Sequence, residues 1–128
     1  VALNKEPPML TELKRRYYTM IQILKDSGDS TWTPALRPSI ITGLRGKKDG
    51  VIGSNVNKGY EIYICLDGDD INSAMYILIH EVAHMSVPEY DHSEKFWENF
   101  KKLKMICINN GLYEAKGERK YCGETIRD

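Results

Sequence analysis

The stretch "ILIHEVAHMSVPEYDHSEKFW", residues 77–97, holds every histidine of a 128-residue chain. His80-Glu81-Val82-Ala83-His84 is an H-E-x-x-H pattern, and His92 follows shortly after. On a helix, residues four apart lie one turn from each other on one face, so both imidazoles can reach a single ion. Glu81 sits one step round, where it misses the ion yet touches a water held by it. Around these residues stand Met75, Ile77, Leu78, Ile79, Val82, Ala83 and Met85, so the helix is apolar on most sides and must be buried. Histidines and a glutamate buried there without partners are costly, and a divalent cation removes that cost.

A catalytic zinc takes three protein ligands and keeps a fourth position for water. A third histidine six residues beyond the second is excluded, because that position is Tyr90. Glu94 and Glu98 on a following helix are candidates. His92, at the start of that helix, is preferred, since imidazole is a common zinc ligand and His92 has no other evident task. The expected site is therefore Zn2+ on His80, His84 and His92, with Glu81 as the catalytic group. The competing arrangement is a structural zinc without turnover, which usually has four protein ligands; Cys122 is the candidate fourth.

The chain length allows one domain, residues 1–128, with one core. Eighteen basic and eighteen acidic residues cancel, so there is no general attraction to nucleic acid or anionic membranes. The basic clusters at Arg45–Lys48 and at Lys101, Lys102 and Lys104 read as solvated surface, and nucleic acid is an unsupported partner. The apolar run "AMYILI" is far short of a membrane span. No basic–apolar–small leader opens the chain, and its start at "VALNKEPP" is compatible with a domain excised from a longer protein. Cys65, Cys107 and Cys122 show no C-x-x-C spacing and an odd count. Buried free thiols are expected for Cys65 and Cys107, which favours an intracellular compartment.

Local signals complete the outline. Leu10, Leu13, Tyr17, Met20, Ile21 and Leu24 recur at three- and four-residue steps and predict a helix to about Lys25, ended by "DSGDS". "TWTPALRPSIITGLRGKKDG" reads as loop and short strand. A hairpin follows, with its turn at Asn57–Gly59 and its better strand at Glu61–Leu66, read equally as an edge or an interior strand. A buried helix is expected over Asn72–Ser86, with Asp69, Asp70 and Asn72 as candidate caps. Pro88 stops it, "PEYD" turns, and a second helix starts near His92 or Ser93 with Phe96, Phe100, Leu103, Ile106 and Cys107 inward, ending at "NNG". The tail "LYEAKGERKYCGETIRD" shows no clear period and is expected to wrap back over the domain.

The run "HEVAHMSVPEYDHSEKFWENFKKL" resembles the WLM and SprT-like group of minimal zinc metallopeptidases. With "NKGYEIYICL" before it and "YCGETI" after it, the resemblance covers roughly residues 55–126. It is closest to uncharacterised WLM-type proteins of large DNA viruses and algae. The resemblance implies an α+β fold with an N-terminal helix, a short β-sheet, an H-E-x-x-H helix and a following C-terminal helix. It also implies zinc and the hydrolysis of peptide bonds in a protein or peptide substrate. His80, His84 and His92 match the zinc ligands, and Glu81 the general base. The turn before His92 is longer than in the shortest members, which leaves Glu89 and Asp91 as neighbouring substitutes. Tyr113 or Tyr121 is a candidate donor to the oxyanion, against the plainer reading of both as core tyrosines. Two rival functions are a zinc-stabilised binding module using the basic helix 93–108 and a zinc hydrolase of a non-peptide substrate such as a nucleotide.

Overall fold

The computed structural model of the chain describes residues 7–37, 39–44, 53–56, 61–66, 70–88 and 92–126. Helix α1 spans Pro8–Ser27 and buries Leu10, Leu13, Tyr17, Met20, Ile21 and Leu24, the same six residues that its periodicity marks. Pro8 starts it where a missing N–H is harmless, and Gly28 ends it in the left-handed conformation (φ 69°), its N–H bonded to the Lys25 carbonyl.

Ser30–Leu36 is a 3-10 helix, where loop was expected. The Asp29 side chain accepts from the Thr31 N–H at 2.9 Å, and Trp32 is driven into the core at 2 % exposure. Burial of one large indole outweighs the loop-forming prolines around it.

Strands β1 (Ile40–Leu44), β2 (Gly53–Val56) and β3 (Glu61–Cys65) form one sheet in the order β1-β3-β2. β2 and β3 are the expected antiparallel pair, with Ser54 opposite Tyr63. The turn at Asn57–Gly59 and the cluster Arg45–Lys48 lie outside the described residues. β1 runs parallel to β3, with Ile40 opposite Glu61 and Leu44 opposite Cys65. β3 is thus the central strand, and the edge reading is corrected. Ile62 and Ile64 on one face, and Cys65, are fully buried, as a strand paired on both sides and covered by helix requires.

Helix α2 (Ile71–Met85) packs against α1, the 3-10 helix, β2, β3 and helix α3 (Glu94–Asn109). That central position is why α2 is apolar nearly all round. Asp70 is its cap, accepting from the Ser73 N–H at 3.0 Å and from the Ser73 hydroxyl. Asp69 lies outside the described residues, and Asn72 has a different task. Its side-chain amide pairs with the Glu114 backbone in both directions at 2.8 Å and fastens the tail to α2. Ser93 caps α3 by accepting from the Phe96 N–H.

The tail wraps back as expected and then forms a hairpin, β4 (Arg119–Tyr121) with β5 (Glu124–Ile126). Cys122 (φ 50°) and Gly123 (φ 81°) make its two-residue turn, the positive-φ pair that suits a twisted hairpin. Cys122 is disulfide-bonded to Cys65 at the end of β3. The expectation of a free Cys65 is therefore corrected; Cys107 is the buried free thiol. Fifty-seven residues of sequence separate the partners, and only the fold brings them together. No helix among the described residues is long and apolar enough to cross a membrane.

Candidate metal centre

His80 and His84 project from successive turns of α2, and His92 directly precedes the cap of α3. Their rings converge. The Nε2 of His92 lies 3.1 Å from that of His84 and 3.3 Å from that of His80. One ligand atom from each falls within 4.8 Å of the others. Nitrogens bound tetrahedrally at 2.0–2.1 Å to one zinc ion sit about 3.3 Å apart, so the donor set has the right spacing for that ion. Hydrogen bonding does not account for it as well. Each neutral imidazole has one N–H, and the Nε2 of His92 cannot serve as both donor and lone pair towards its two neighbours. A cation accepts all three lone pairs at once.

The three rings differ in exposure: His80 and His84 are half-buried, and His92 is exposed. Burial, followed by the proximity of His84 and His92, pushes the pKa of His80 down to about 3. His80 is therefore neutral near pH 7, the form that donates a lone pair. The site opens to solvent on the His92 side. Glu81, beside His80 on α2, is buried at 6 % exposure.

One aromatic ring touches all three imidazoles. Phe96 stacks on His84 with centroids 4.3 Å apart and lies 5.1 Å from His80 and 4.9 Å from His92. It is fully buried. The sequence marks it only as a core-facing residue of α3; its second role follows from the crossing of α2 and α3. Trp97 stands on the open side, 5.4 Å from His92 and 6.4 Å from His80.

Asn99 also escapes sequence reasoning. Fully buried on α3, it donates its side-chain amide to Ser86 Oγ at 3.0 Å, and Ser86 Oγ donates to the Ala83 carbonyl. This chain ties α3 to the last turn of α2, next to His84. The available signal was a polar residue three positions after Phe96, on the apolar face.

Among the described residues, the other candidates are not part of the cluster. Glu98 points to Lys102 (3.2 Å) and Lys95 (3.8 Å) on the exposed face of α3. Glu94 occupies the first turn of α3, where the helix N-terminus favours a carboxylate. Cys122 is bonded to Cys65 and has no thiolate to offer as a fourth ligand. Glu89 and Asp91 lie outside the described residues. Tyr121 is buried and donates its hydroxyl to the Cys65 carbonyl at 2.7 Å, so it acts in the core. Tyr113 is buried too, its hydroxyl accepting from Arg119 and its ring 6.3 Å from that of Tyr76. Both tyrosines are thus packed in the core, as the plainer reading has it.

The WLM domain family matches residues 37–126, a span that runs from the start of the sheet, through α2, His92 and α3, to the tail hairpin. The chain belongs to the WLM domain family. WLM is a zinc metallopeptidase-like family, and three histidines close enough to bind a metal lie inside the matched region of this WLM domain. An uncharacterised protein of Acanthamoeba polyphaga mimivirus is 38% identical over 81 residues, covering 56% of this chain and 41% of its own length. An uncharacterised protein of Invertebrate iridescent virus 6 is 32% identical over 85 residues, covering 59% of this chain and 47% of its own. This WLM domain thus spans less than half the length of either curated relative. No solved structure matches it.

Proposed function

We propose that this chain is a zinc-dependent metallopeptidase in which His80, His84 and His92 hold the ion and Glu81 is the general base. The observation that supports this is the convergence of three imidazole nitrogens, 3.1 and 3.3 Å apart, beside an H-E-x-x-H glutamate on a buried helix. When bound, the ion supplies Lewis acidity, lowering the pKa of water towards neutrality and polarising a carbonyl. Glu81 takes the proton released as water attacks the peptide carbonyl and delivers it to the departing amine. Phe96 closes one side of the imidazole cluster to solvent, and the exposed edge at His92 admits the substrate. The non-catalytic alternative requires a fourth protein ligand, and its candidate, Cys122, is held in a disulfide.

Elemental analysis paired with proteolysis of a denatured protein such as casein tests the reading. One zinc per chain with cleavage is expected for the native protein, and one zinc without cleavage for Glu81→Gln. Equal cleavage by the two proteins refutes the mechanism.

A further inference from the structure

Among the described residues, Trp97 is the exposed large apolar side chain in ring contact with the candidate metal centre. It is 48 % exposed, although its ring contacts His92, His80, Phe96 and Phe100 at centroid distances of 5.4, 6.4, 5.0 and 5.9 Å. Phe96 and Phe100 fix its inner side, and both are almost fully buried. The indole is therefore held in place by the core while its outer side faces water. Covering the open side of the indole removes apolar area from water, which is favourable.

What covers it is limited by where it stands. A chain whose scissile carbonyl reaches the three imidazoles brings its neighbouring side chains close to the residues in ring contact with them, which among the described residues are Phe96, Trp97 and Phe100. Phe96 is already buried and Trp97 is not. We propose that the exposed side of Trp97 receives the substrate side chain next to the scissile bond and selects a large apolar or aromatic one. The inference rests on the metallopeptidase reading and names the substrate class within it. Aromatic side chains suit this surface best, because ring–ring contact adds to the area covered.

The chain carries its own reporter. Its two tryptophans are Trp97 and Trp32, and Trp32 is 2 % exposed in the core, so a change in emission on ligand binding comes from Trp97. Zinc-loaded Glu81→Gln protein, which binds without turnover, is titrated with two blocked hexapeptides, Gly-Gly-Phe-Ala-Gly-Gly and Gly-Gly-Ser-Ala-Gly-Gly. The expected result is a blue shift of emission with the Phe peptide and an affinity about tenfold higher than for the Ser peptide. Adding Trp97→Ala, followed by competition against a fluorescent Phe peptide, should reduce that preference to about twofold or less, and Trp97→Phe should restore part of it. An unchanged preference in Trp97→Ala, an unmoved emission, or no binding of either peptide overturns the proposal. The two readings fail separately. If native protein cuts both peptides equally well, the selecting surface is lost and the enzyme stands. If it cuts neither while the Trp97-dependent preference holds, the enzyme reading is lost, and with it the assignment to a scissile bond, and Trp97 is a peptide-binding surface alone.

Discussion

The amide of Asn99 on α3 donates a 3.0 Å hydrogen bond to Ser86 Oγ at the end of α2, with both residues buried. Ser86 passes the contact on to the Ala83 carbonyl, one residue before His84. The helix that leads from His92 is thereby held to the helix that carries His80 and His84. Asn99→Ala should destabilise the fold by about 1 kcal/mol from the lost hydrogen bond, the Ser86 hydroxyl keeping its own bond to the Ala83 carbonyl. It should also weaken zinc binding measurably. Urea unfolding and a competition assay with a zinc chelator measure the two effects; native-like values in both remove the clamp.

The histidines and the glutamate should separate by phenotype. His84→Ala and His92→Ala each remove a nitrogen from the cluster and should lower zinc affinity by more than about 100-fold. Glu81→Gln should leave zinc stoichiometry intact and reduce the hydrolytic rate by about 10²–10⁴-fold. Metal titration followed by a fluorogenic peptide assay separates them. Unchanged zinc affinity in His92→Ala means that the third ligand is another residue.

The disulfide from Cys65 to Cys122 closes a loop spanning 57 residues and joins the central strand to the tail hairpin. Loop-closure entropy gives about 4 kcal/mol for a loop of that size, and measured values cluster at about 2–4 kcal/mol. Cys122→Ser, or reduction with dithiothreitol, should lower the unfolding free energy within that range. Denaturation with and without reductant shows it. A curve that does not move with reductant places the two thiols apart in solution.

His80 makes the metal-free protein sensitive to acid. Its pKa falls from 6.5 to about 3 on folding, first through burial and then through the neighbouring imidazoles. With the folded value below the unfolded one, the unfolded chain binds more protons below pH 6.5. Stability is therefore full above that pH and is lost as pH falls towards about 3. The slope contributed by His80 approaches about 1.4 kcal/mol per pH unit, and His80→Gln should remove it. Urea titrations between about pH 5 and 6.5, where carboxylates stay ionised, isolate the effect. Equal slopes for native and variant proteins contradict the burial of this ring.

Much of the helical framework is legible in the sequence because it follows from short-range rules. The six buried residues of α1, Asp70 as one of three candidate caps of α2, the start of α3 near Ser93, and the stop after "NN" at Gly111 all depend on neighbours within four positions. The pairing of β2 with β3 is equally local. The H-E-x-x-H spacing brings His80 and His84 together on any helix, so that half of the candidate site was available before any fold was known.

Long-range contacts decided the rest. β3 is central because β1, about twenty residues earlier in sequence, pairs with it in parallel, and no local pattern sets that register. The tail has no period of its own, since Asn72, Arg16 and Arg119 fasten it to distant elements by side-chain hydrogen bonds. Cys65 meets Cys122 only after both hairpins have docked. His92 reaches the other two rings, and Phe96 and Asn99 acquire their second roles, only through the crossing of α2 and α3. Periodicity records which way a side chain faces along its own helix; the partner it meets there is set by how whole helices pack.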